Sequence, residues 1–99
     1  MTSVVYALSA QTDLFEAWVY IAEDNPMAAD NVLDTIGREA GMLSLQPLMG
    51  RSRPELAEGV RSWPSSTHYI LFYLPDDQGI TVLRVLHHAR DTQRIEFEK

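Results

Sequence analysis

The 99-residue chain is long enough for one hydrophobic core but has no cysteine, which removes disulfides, thiolate-bound zinc and thiol nucleophiles together. Its net charge of −6 and its sole lysine, Lys99, provide no basic stripe to release counterions from a polyanion, so general nucleic-acid binding is disfavoured. The longest apolar run, residues 69–74, is about a third of a bilayer span, and the N-terminus lacks a secretory signal pattern, so a cytoplasmic protein is expected.

Residues 4–8 read as a short apolar opening strand. Ser9 offers an N-cap for a helix running to about Glu23, with Asp13 and Glu16 placed early, where they complement the helix dipole. Leu14, Trp18 and Ile21 recur at i, i+4 and i+7, and Phe15, Val19 and Ala22 widen that stripe, which makes Trp18 a core residue. At Asn25-Pro26 the asparagine can cap a second helix that starts on the proline and runs to about Leu45. Its inward positions are Ala29, Val32, Leu33, Ile36, Ala40 and Leu43, and the short connection makes the two helices an antiparallel hairpin. Residues 48–59, rich in Gly, Pro and Arg, read as a loop. Residues 60–63 form a short strand, and 67–74 a strand apolar on both faces, as suits a central position. Residues 75–79 are a turn and 80–86 the return strand. The order β-α-α-β-β-β predicts one α+β domain over residues 1–99, a helical hairpin on a mainly antiparallel sheet, with a loosely docked or frayed tail at 92–99.

Charge is unevenly placed. Residues 1–37 hold six acids (Asp13, Glu16, Glu23, Asp24, Asp30, Asp34) and no base, whereas all seven arginines lie from Arg38 onward. Six of the seven fall in two runs, Arg51 to Arg61 and Arg84 to Arg94. Arginine's planar fork suits fixed contacts with carboxylate, phosphate or backbone carbonyl. Two uses compete. A metal-free ribonuclease could draw charge from Arg53, Arg61 and Arg84 and proton transfer from His87 or His88. Alternatively, Arg61 and Arg84, on paired strands, hold Glu55, Glu58 or loop carbonyls and order the loop. The neighbouring His87 and His88 would point to opposite faces of a strand, so no metal site is expected, and no sequence pattern for a serine hydrolase, phosphate loop or dinucleotide site is present. Trp63, beside Pro64 at a strand end, could anchor a partner at the surface.

Five segments together resemble the ParE toxins of the RelE/ParE toxin–antitoxin superfamily. They are Tyr6-Ala7-Leu8-Ser9, the stretch from Tyr20 through Asn25-Pro26 to Ala29, Gly50-Arg51-Ser52-Arg53-Pro54-Glu55-Leu56, Gly59-Val60-Arg61-Ser62, and Leu83-Arg84-Val85-Leu86-His87-His88-Ala89-Arg90-Asp91. The resemblance implies a bacterial toxin of the plasmid-stabilisation type with no cofactor and no catalytic chemistry. Such a toxin traps the cleaved DNA–gyrase complex and is neutralised by a ParD-like ribbon-helix-helix antitoxin. The RelE branch instead cleaves ribosome-bound mRNA; there a catalytic tyrosine follows the last Arg-acid pair, whereas this chain has Gln93, and the lysines of that branch are missing. A ribonuclease using Arg53, Arg61, Arg84 and His87, or an inactive relative kept for partner binding, are the alternatives. Partner contacts are expected from Arg51, Arg53, Arg61, Trp63, Arg84, His87, Arg90 and Asp91. Phe15, Trp18, Val19, Asp30 and Asp34 on the acidic hairpin are expected to face a basic antitoxin segment.

Overall fold

A computed structural model describes residues 2–88. The elements are β1 (Ser3–Tyr6), α1 (Leu8–Ala22), α2 (Pro26–Leu45), β2 (Arg51–Ser52), β3 (Arg61–Pro64), β4 (Tyr69–Asp76) and β5 (Gly79–His87). They form an α+β fold, with the helical hairpin packed on a five-stranded sheet of order β1-β5-β4-β3-β2. All pairings are antiparallel except the parallel pair β1–β5. The expected order is therefore present with one addition, the two-residue strand β2 inside what read as a continuous loop. Two residues leave too little pattern for a period-two signal, so only pairing with β3 reveals it.

Helix α2 starts as the sequence indicates: the Asn25 side chain accepts from the Ala28 N–H and Pro26 takes the first helical position. The start of α1 differs from expectation. Leu8 is already helical, Ala7 is the cap residue, and no side chain caps it. The Ala7 N–H still bonds to Val82 O at 2.9 Å, so the chain passes from strand to helix with no turn in which Ser9 could act as a cap. The first strand accordingly ends at Tyr6 and does not reach Leu8.

The core lies between sheet and hairpin. Ala10 and Ala17 of α1 and Ile36, Ala40 and Leu43 of α2 pack on Leu71, Tyr73, Ile80, Val82 and Val85. Small residues on α1 let it approach the sheet closely. A second cluster, Val60, Phe72, Leu83 and Leu86, occupies the opposite face under Leu56 and Ala57 of the arginine loop. Strand β4 is thus covered on both sides, as its two apolar faces predict. Gly79 is required where β1 joins β5: its φ is 142°, and a Cβ there would collide with the backbone of Ser3.

The apolar stripe of α1 departs from the sequence reading. Phe15 is 68% exposed and Val19 38%. The buried face is instead Ala10, Asp13 and Ala17, with Leu14 and Ile21 partly buried beside it. Trp18 is only half-buried, and its Nε1 donates to Asp30 Oδ1 on α2 at 2.9 Å. Helical spacing fixes which residues share a face; which face turns inward depends on what the sheet offers it, here a charged partner for Asp13.

Candidate functional site

Of the four described arginines in the two runs, Arg53, Arg61 and Arg84 are engaged within the fold. Arg84 Nε donates to Asp13 Oδ2 at 2.7 Å and Nη2 to Oδ1 at 3.0 Å, while the Val85 N–H donates to Oδ2 at 3.0 Å. Asp13 is 8% exposed, so this is a nearly buried, doubly forked pair. It has a topological cause. β1 pairs with β5 only as far as Val82, and beyond that point the Asp13 carboxylate takes over at the β5 edge by accepting from Val85. The pairing also slips between Phe72 and Tyr73, leaving Leu83 an extra residue in β5 next to Arg84, the kind of irregularity that re-aims a side chain. Asp13 was expected to complement the dipole at the start of α1, and Arg84 to bond Glu55, Glu58 or loop carbonyls. Both expectations give way to this pair, which joins residues 71 apart in sequence.

Arg61 does order a loop. Its Nη1 donates to Leu48 O at 3.2 Å and Gly50 O at 2.6 Å. From the neighbouring strand the Tyr73 hydroxyl donates to Pro47 O at 2.8 Å and accepts from the Gly50 N–H at 2.9 Å. Burial pushes the Tyr73 hydroxyl pKa up, so the hydroxyl keeps its proton and its donor role. Arg53 Nε donates to Glu55 Oε2 at 2.7 Å and Nη1 to Ser62 Oγ at 3.2 Å. That hydrogen bond, with the Arg53 charge, holds the exposed Glu55 carboxyl below its ordinary pKa.

These contacts divide the four residues a ribonuclease would need to bring together. Arg61 pairs with Tyr73, which packs in the helix-side core, whereas Arg53 reaches Ser62, which pairs with Phe72 of the opposite cluster. β4 lies between β3 and β5, so Arg61 and Arg84 are not on paired strands as the sequence reading had them. His87 ends β5, its ring centroid 4.7 Å from His88, 6.1 Å from His68 and 5.5 Å from Tyr69. The expectation that His87 and His88 diverge fails because the strand stops at His87, and the next residue no longer alternates across the sheet. A cavity of about 350 Å³ beside this cluster is bounded by Asp13, Glu16 and Tyr20 of α1 and by Tyr69 and His87.

Trp63 is half-buried and tied into the fold. Its Nε1 donates to Glu39 Oε1 at 2.8 Å, and the Ser66 N–H and hydroxyl donate to Glu39 Oε2 at 3.1 and 2.5 Å. Burial works to raise the Glu39 pKa, but the hydrogen bonds from Ser66 and Trp63 outweigh it and the net direction is downward. Among the described residues, Arg51 and Arg38 are the exposed arginines; Arg38 bonds only Thr35, and Arg51 has no side-chain hydrogen bond or ion pair. Arg90 and Asp91 lie outside the described residues, as does the tail at 92–99.

The sequence over residues 4–92 matches the family described as the ParE toxin of type II toxin-antitoxin system, parDE. The chain belongs to the ParE toxin family. A solved structure titled "Chromosomal ParDE TA system from P. aeruginosa" contains a chain that superposes on this toxin with a TM-score of 0.71. The two are 21% identical over 88% of this chain and 96% of the other, a likeness that establishes the shared fold. A search of curated protein sequences returns no match. As a ParE-type toxin of such a two-component system, the protein has an antitoxin for a partner. Of the residues that organise the site, Tyr73 and Glu39 were not singled out from the sequence, and Asp13 was named only for its place early in α1. Only Asp13 left a trace there, three residues after Ala10 and four before Ala17 on the small-residue face of α1.

Proposed function

We propose that this toxin acts in the bacterial cytoplasm by trapping the cleaved DNA–gyrase complex, that it has no catalytic chemistry of its own, and that a ParD-like ribbon-helix-helix antitoxin neutralises it. The observation that carries the reading is the engagement of Arg53, Arg61 and Arg84 by Glu55, loop carbonyls and Asp13, since cations committed to internal partners are poorly placed to stabilise a phosphorane. Family membership supports the toxin and antitoxin roles.

The antitoxin-facing surface in this reading is α1. Leu8, Phe15 and Val19 are exposed and, at 3.6 residues per turn, fall within one arc of roughly 40° on the side opposite Ala10 and Ala17. Glu16 and Glu23 are exposed beside that arc, and Asp30 and Asp34 are exposed on α2. An amphipathic antitoxin segment with an apolar stripe and basic flanks fits such a surface. Purified toxin added to gyrase and supercoiled plasmid should yield linear, protein-linked DNA, and adding the antitoxin should abolish it. Cleavage of ribosome-bound mRNA in a parallel reaction, with no linear plasmid, would replace this reading with the ribonuclease one.

A further inference from the structure

The last turn of α2 and the loop after it expose apolar side chains, and the backbone of the loop is held fast. Leu45 is 70% exposed, Leu48 71%, Met49 37% and Met42 36%. Floppy loops expose such residues incidentally, but this one is pinned. Pro47 O and the Gly50 N–H bond to Tyr73, Leu48 O and Gly50 O bond to Arg61, and the Met49 N–H closes a turn on Gln46 O at 3.1 Å. Gly50 is part of the device, because a Cβ there would collide with the Tyr73 hydroxyl and Ser62 O. A buried tyrosine and an arginine are thus committed to holding Leu48 and Met49 in water. Rigid elements presenting a compact apolar cluster are the usual form of an interaction hot spot.

Charge indicates what docks there. Arg38 lies at i−4 from Met42 and i−7 from Leu45, on the same face of α2, and Arg51 follows Met49 by two residues on the edge strand β2. These are the two exposed arginines just described, and they adjoin this apolar cluster, whereas the apolar stripe of α1 is bordered by acids. We infer that Leu45, Leu48 and Met49, with Arg38 and Arg51, form the surface that engages the toxin's target protein, at an apolar pocket rimmed by carboxylates. The target is gyrase, an identification that rests on the function proposed above. The antitoxin contacts a different face.

The test uses the full chain with Leu48→Asp, and separately Arg51→Glu, in gyrase capture and plasmid-cleavage assays, with antitoxin titration as the check of folding. Both side chains are exposed and Arg51 bonds nothing through its side chain among the described residues, so antitoxin binding should be unchanged. Gyrase capture should fall at least about tenfold for Leu48→Asp and severalfold for Arg51→Glu, the loss expected when a hot-spot side chain is replaced by an opposing charge. Undiminished capture and cleavage by a Leu48→Asp protein that still binds antitoxin would overturn the assignment. So would a concentration-dependent toxin dimer that Leu48→Asp dissolves while gyrase capture persists, because the occupant would then be a second copy. If the unaltered protein neither captures gyrase nor linearises plasmid, the functional reading falls and this assignment with it. Should Leu48→Asp lose antitoxin binding as well, Arg51→Glu decides, and a fully active Arg51→Glu protein counts against the assignment.

Discussion

Helix α1 and the Gln46–Gly50 loop both present leucines and neighbouring apolar side chains to solvent, yet they do so on opposite terms. Leu8, Phe15 and Val19 lie along a regular helix among exposed carboxylates, where the backbone satisfies itself and the side chains need no support. Leu48 and Met49 lie on irregular backbone that Tyr73 and Arg61 hold from the sheet, with arginines alongside. A helix displays an apolar stripe at no structural cost, whereas the loop needs dedicated hydrogen bonds to display two residues. Three of the five described arginines, Arg53, Arg61 and Arg84, are engaged inside the molecule. Of these, Arg61 builds the platform, and the exposed Arg38 and Arg51 give it a sign.

The comparison can be strained most severely through Asp13. Asp13→Ala leaves Arg84 and the Val85 N–H without their shared acceptor, and stability should fall by about 3–5 kcal/mol in urea denaturation, nearer the lower figure because Arg84 retains some solvent contact. Both surfaces should then weaken together. Tyr73→Phe removes the hydroxyl bonded to Pro47 O and the Gly50 N–H, at about 1–3 kcal/mol. Hydrogen exchange at Gly50 should quicken selectively while α1 amides stay protected, and unchanged Gly50 protection would mean the loop is not pinned as described. Phe15→Asp should leave stability within about 0.5 kcal/mol, since Phe15 is exposed. It should lower antitoxin affinity at least about tenfold, measured by calorimetry.

The smallest effect concerns the Ser65–His68 loop, tied to α2 through Glu39. The Glu39 carboxyl has its folded pKa lowered relative to the ordinary 4.5, so its contribution is fully present above that value and is lost as pH falls through the folded value. Thermal melts of Glu39→Gln should show a shallower decline than the unaltered protein as pH drops from about 5 toward 3. Parallel declines would remove Glu39 as the titrating tie.

How much of this could be read from sequence divides along a physical line. Periodicity located both helices and the four longer strands because each has enough residues to show its period, and Asn25-Pro26 specified its helix start through local bonding. The hairpin's inward α2 face was legible at Ala29, Ile36, Ala40 and Leu43. The site was less so. Asp13 with Arg84, Trp63 with Glu39, and Tyr73 with Pro47 are partners 71, 24 and 26 residues apart, and no local pattern encodes which distant group a polar side chain will meet. Arg61 was legible as a loop-ordering residue because its neighbours in sequence are the loop itself, whereas Arg84 was assigned a loop partner and found a helix. The strand β2 was invisible for the same reason, existing only through its pairing with β3.

The central claim is that two partners use two separately charged apolar surfaces. Affinities of Phe15→Asp and Leu48→Asp for antitoxin and for gyrase, measured on the same preparations, test it directly. Phe15→Asp should lose antitoxin and keep gyrase, and Leu48→Asp should lose gyrase and keep antitoxin. Loss of both partners by either folded variant, or of neither by both, would contradict it.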